Sequence, residues 1–117
     1  MKRILLVDDD ALVLKSIKRL LERYSYFVIS AKCSHEALSI LEKEEVDLVI
    51  SDIRMPDEDG LLLGKKIREI SDCPLIYVTG YASEDAPIDA IKLGAKDYLL
   101  KPFDLDELLA SVKRHIG

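Results

Sequence analysis

Apolar residues along the chain follow two spacings that take turns. Five short runs, Ile4–Val7, Phe27–Ile29, Leu48–Ile50, Leu75–Val78 and Tyr98–Leu100, are rich in branched side chains and barely alternate with polar ones. That pattern predicts strands buried on both faces, as in a parallel sheet. The stretches between them show helical spacing. Leu14, Ile17, Leu21 and Tyr24 mark one face of the first, and Ala37, Leu38 and Leu41 mark the second, with Ser34 as its expected N-cap. Leu63, Ile67 and Ile70 mark the third. A fourth is expected from about Glu84 to Leu93, with Ser83 as cap, Pro87 in the first turn and Gly94 as the stop. Leu105, Leu108, Leu109, Val112 and Ile116 mark the fifth, opened by Asp104 and Glu107 at capping-box spacing.

Strand and helix thus alternate five times, which predicts a doubly wound α/β domain, (βα)5, with right-handed crossovers. Composition agrees with one globular domain over residues 1–117: 49% apolar and 33% charged residues in 117. A net charge of −5 without a basic block argues against direct grip on nucleic acid. No apolar run reaches the roughly 20 residues of a membrane span, and the first residues are too few for a signal peptide. Cys33 and Cys73 fit no metal spacing and read as reduced thiols. The expected setting is the cytoplasm, with no membrane partner.

Sites in open α/β sheets form beyond the carboxyl ends of the strands. There the first strand ends in Asp8, Asp9 and Asp10, the third in Ser51 and Asp52, the fourth in Thr79 and Gly80, and the fifth in Lys101 and Pro102. With strands one, three, four and five adjacent, topology brings acids, a hydroxyl and an ammonium to one edge. Carboxylate oxygens select a hard cation such as Mg²⁺, and no His or Cys stands nearby to favour zinc. A lysine and a threonine remain to meet an anion. The inventory suits phosphoryl transfer onto a carboxylate, which forms an aspartyl phosphate. Asp10 reads as the cap of the first helix.

The set "ILLVDDD", "SDIRMPDEDG", "VTGY" and "DYLLKPF" resembles the receiver domain of bacterial two-component response regulators over essentially the whole chain. The resemblance implies a flavodoxin-like parallel sheet in order 2-1-3-4-5. It implies Asp52 as phospho-acceptor, Asp8 and Asp9 as the acidic pair for Mg²⁺ (Mn²⁺ able to substitute), and the backbone carbonyl of Arg54 as a further ligand. It makes Thr79 and Lys101 the phosphate-binding pair, Thr79 with Tyr98 the switch, and Lys101–Pro102 a cis bond. The implied donor is a sensor histidine kinase or phosphotransfer domain. The implied output face joins the fourth helical segment, fifth strand and fifth helix, which can also pair two copies. The chain can be a piece of a longer regulator, and "TGY" and "IRMP" look most like receivers of enhancer-binding transcription activators. Regulators with winged-helix outputs often carry an Arg where Ser111 stands here. Arg54 and Tyr81 are expected to shield the phosphoryl group rather than guide water to it, giving a slow decay.

Each residue also has a plainer reading. Asp8 and Asp9 alone would be helix-start acids, Asp52 a loop acid, Thr79 and Tyr98 ordinary strand residues, and Lys101 a surface lysine. Asp57, Glu58 and Asp59 read as solvated or helix-starting charges with no catalytic role. Three rival functions share the fold. An aspartate-dependent phosphatase would want a second acid where Arg54 stands, and a guanidinium only donates. A degenerate binding module would not need the acid–Thr–Lys set. A flavin protein would want a phosphate cradle after the first strand, where three acids repel phosphate.

Overall fold

The structure, a computed structural model, describes residues 1–53, 57, 59–79, 95–100 and 104–117, with the backbone alone at Thr79 and Leu100. The helical segment expected at 84–93 lies outside the described residues. In chain order the elements are β1 (Arg3–Val7), α1 (Ala11–Arg23), β2 (Phe27–Ala31), α2 (Ser34–Lys43), β3 (Leu48–Ser51), α3 (Gly60–Ile70), β4 (Leu75–Thr79), β5 (Asp97–Leu100) and α4 (Leu105–Ile116). Helix α4 is the fifth of the helical segments expected from the sequence.

All five strands run parallel in the order β2-β1-β3-β4-β5, as expected. The continuous apolar runs have a direct cause: alternate side chains of a strand face opposite layers, and both layers are filled. Ile4, Leu6, Leu48, Ile50, Ile76 and Val78 pack against Leu14, Ile17 and Leu21 of α1 and Leu108, Leu109 and Val112 of α4. Leu5, Val7, Val49, Leu75 and Tyr77 pack on the other face against Ala37 of α2 and Leu63 and Ile67 of α3.

Four expectations need correction. Strand β2, at the edge of the sheet as expected, is not buried throughout: Phe27 is half exposed, with the Arg3 guanidinium 5.2 Å from its ring centroid. Tyr24 does not join the buried face of α1. It is the C-cap, half exposed, and its ring lies 4.7 Å from Lys113 Nζ on α4. Ile70, the last residue of α3, is 54% exposed and does not join the buried face of that helix. Ser34 is the first helical residue of α2, not its cap: Cys33 occupies that position and makes no side-chain cap bond. Asp10, Asp59 and Asp104 do cap α1, α3 and α4, accepting from Leu12 and Val13, from Leu61 and from Asp106.

Candidate functional site

Asp8 and Asp52 are the residues immediately after β1 and β3. These strands are neighbours, with Val7 opposite Ser51. The ladder continues one step further, where the Asp52 N–H donates to the Val7 carbonyl over 2.9 Å. The Asp8 N–H donates to the Ala31 carbonyl of β2 over 3.1 Å. Backbone pairing alone therefore sets the two carboxylates side by side. Asp9 follows at the start of the turn into α1. One carboxylate oxygen from each of Asp8, Asp9 and Asp52 lies within 4.8 Å of the other two. Asp8 is fully buried, Asp52 is 6% exposed and Asp9 is exposed.

Local bonds hold these acids in place. Asp8 Oδ1 accepts from the Asp10 N–H at 2.9 Å, which closes the turn. Asp52 Oδ1 accepts from the Ile53 N–H at 2.6 Å. Donor atoms that are all carboxylate oxygens, mostly out of water and mutually repelling, suit a small hard dication and no soft one. The fit is to the donor set itself: the cation would neutralise charges that otherwise share a low-dielectric edge.

The remaining predicted residues divide by position. Thr79 is the last residue of β4, opposite Leu100 of β5, at the same carboxyl edge of the sheet. Lys101, Pro102, Arg54 and Tyr81 lie outside the described residues. Tyr98 stands opposite Tyr77 on β5, half-buried, against the α2–α3 layer.

Three contacts were not anticipated from the sequence. Asp57 caps a helix that is not its own: its two carboxylate oxygens accept from the Ser34 and His35 N–H groups of α2, at 3.1 and 2.9 Å. This supplies the cap that Cys33 cannot. Asp97 accepts from the Ser111 hydroxyl over 2.5 Å and from the Tyr98 N–H over 2.9 Å. Burial alone would push its carboxyl up. The Ser111 and Tyr98 donors, with Arg114 and His115 nearby, outweigh burial and hold it below the usual range. Tyr77, inside β4, donates its hydroxyl to the Gly60 carbonyl at 2.7 Å. The signal that hinted at this last bond was a phenol in the middle of an apolar strand, which must find an acceptor once buried.

Comparison with known proteins places these features. The family model described as "Response regulator receiver domain" matches residues 4–113. The DNA-binding transcriptional regulator NtrC of Proteus hauseri is 40% identical over 111 residues, which cover 94% of this chain and 24% of that protein. The transcriptional regulatory protein CrdR of Helicobacter pylori is 39% identical, over 97% of this chain and 54% of its own length. The chain thus spans between about a quarter and about half of these curated relatives. Among solved structures, a CheY-like response regulator receiver domain protein of Methanospirillum hungatei superposes with a TM-score of 0.96 at 37% identity, over 99% of this chain and 94% of that one. The non-phosphorylated HemR receiver domain of Leptospira biflexa superposes at 0.94 with 35% identity, over 100% and 95%. With the sheet order, the acid-lined edge and a family match over nearly the full length in agreement, the chain belongs to the response regulator receiver domains of two-component systems.

Proposed function

We propose that this domain is a phosphorylation-controlled switch that takes a phosphoryl group from a sensor histidine kinase or phosphotransfer domain onto Asp52. The observation that carries the reading is the convergence of Asp8, Asp9 and Asp52 at the carboxyl edge, with Asp52 directly beyond a central strand. Asp52 supplies the attacking oxygen; its bond to phosphorus forms as the phosphorus–nitrogen bond of a phosphohistidine breaks, and the electron pair returns to the imidazole. Asp8, Asp9, Asp52 and the Arg54 carbonyl would hold Mg²⁺, or Mn²⁺ in its place. Bound there, the cation neutralises charge on the phosphoryl oxygens. Thr79 and Lys101 meet the remaining oxygens with a hydroxyl and an ammonium. The only chemistry in this proposal is the domain's own phosphorylation and dephosphorylation.

The output follows from the added charge. Thr79 turns toward the phosphoryl group, Tyr98 fills the vacated space, and the face built from residues 84–93, β5 and α4 changes. That face then meets an output domain or a second copy of the chain. Transcriptional control is the favoured output, since the curated relatives above are named as transcriptional regulators and are longer than this chain. The setting is the cytoplasm, where such kinases present their phosphohistidine. Among the described residues no helix is long and apolar enough to cross a membrane.

The test is intact mass after incubation with acetyl phosphate and Mg²⁺. The protein gains one phosphoryl group, and Asp52→Asn or removal of Mg²⁺ with EDTA abolishes the gain. A gain of the same size in Asp52→Asn would overturn the assignment.

A further inference from the structure

Tyr77 occupies the centre of β4 and is fully buried, in the core layer it shares with Leu75, Ile53, Leu63 and Ile67. A hydroxyl there is costly unless bonded. Its acceptor is distant in sequence: Tyr77 Oη donates to the carbonyl of Gly60, the first residue of α3. Gly60 in turn rests on the backbone of the phospho-acceptor. Its N–H donates to the Ile53 carbonyl at 2.5 Å. A Cβ on Gly60 would overlap the Asp52 carbonyl oxygen and lie 2.7 Å from the Ile53 Cα, so only glycine allows this approach. One turn further along α3, Gly64 makes the space for the phenol. A Cβ on Gly64 would overlap Tyr77 Oη, 3.0 Å from Leu75 Cδ2 and 3.4 Å from Tyr77 Cζ. Two glycines and one tyrosine thus form a chain of contacts from the middle of β4 to the peptide on which Asp52 stands.

We infer that Tyr77 is a positioning residue for the acidic site: through Gly60 it fixes the backbone at Asp52 and Ile53, and with it the distance of the Asp52 carboxylate from Asp8 and Asp9. The inference rests on reading those three acids as a divalent-cation site. A small dication tolerates little variation in ligand distance, so a looser Asp52 peptide lowers affinity even when every ligand is present. Gly64 acts with Tyr77 as one unit. A methyl group at position 64 displaces the hydroxyl, whereas without the hydroxyl the same methyl group meets only contacts that side-chain adjustment can relieve.

The experiment measures Mn²⁺ affinity by electron paramagnetic resonance in wild type, Tyr77→Phe, Gly64→Ala, the double variant and Asp9→Asn. All are held at a temperature where circular dichroism shows each to be folded. Tyr77→Phe weakens Mn²⁺ binding by about three- to tenfold, the loss of one buried hydrogen bond expressed in affinity. Gly64→Ala weakens it by a similar factor, and the double variant binds no worse than Tyr77→Phe alone. Asp9→Asn, a direct and exposed ligand, loses more than any of them. If Tyr77→Phe only lowers the melting temperature and binds Mn²⁺ like wild type, Tyr77 is structural and the inference falls while the metal site stands. Additive losses in the double variant also overturn it. If Asp9→Asn binds as wild type does, the site reading fails and takes the inference with it.

Discussion

Neutralising Asp52 should stabilise the cation-free protein, although it removes the residue on which the proposed function depends. In Asp52→Asn the shape changes by one atom's identity and the carboxylate charge is lost. The oxygen of the amide still accepts from the Ile53 N–H, which lies 2.6 Å from Asp52 Oδ1 in the native protein. Among the described contacts, what disappears is the repulsion from Asp8 and Asp9. The relevant oxygens of Asp8 and Asp9 lie within 4.8 Å of that of Asp52. For two unit charges at that distance Coulomb's law gives about 3.5 kcal/mol at an effective dielectric constant of about 20, and about 0.9 kcal/mol in bulk water. Asp8 is fully buried and sits nearer the first limit, while Asp9 is exposed and sits nearer the second. After allowance for less ideal solvation of the amide, a net gain of about 1–3 kcal/mol is expected. For a domain of this size that is roughly 5–12 °C in melting temperature. Differential scanning calorimetry in EDTA reads it directly. Mg²⁺ should then raise the melting temperature of wild type, because it binds the folded state alone, and raise that of Asp52→Asn much less. A variant less stable than wild type in EDTA, or equal Mg²⁺ shifts in both proteins, would refute the idea that a cation offsets the three charges.

Asp57→Ala leaves the Ser34 and His35 N–H groups without their cap and should cost about 1 kcal/mol by urea denaturation, whereas Asp57→Asn should cost less. Ser111→Ala removes a donor that holds the Asp97 carboxyl low. Because the folded value of Asp97 lies below the unfolded one, its contribution is present above about pH 4 and is lost as pH falls through the folded value. The variant should therefore be about 1 kcal/mol weaker at pH 7 and nearly equal to wild type at about pH 2, checked by denaturation at both pH values. For phosphorylated protein, Arg54→Asn/Tyr81→Glu should lose its phosphoryl group faster than wild type, followed by intact mass over time; an unchanged decay would show that neither side chain shields the site.

The sequence by itself settled the alternation of strands and helices, the parallel sheet and the edge where the acids meet. These are properties of periodicity. A run such as Ile4–Val7 with no polar member can be satisfied only by packing on both faces, and two such strands in adjacent register carry their following residues, Asp8 and Asp52, to one place. Caps with a local partner, at Asp10, Asp59 and Asp104, were within reach because donor and acceptor sit two or three residues apart. Tertiary structure decided the rest. Nothing near Asp57 in the chain says that it closes α2, 23 positions earlier, nor does the segment around Tyr77 name Gly60 as its acceptor, 17 positions away. Whether an apolar residue at helical spacing is buried depends on what lies opposite, so Tyr24 and Ile70 fit the period and remain exposed at the C-terminal ends of their helices. Pattern fixes which face turns inward; only the packed chain fixes which partner waits there, because a hydrogen bond or a glycine-sized gap is specified to tenths of an ångström by residues far apart in sequence.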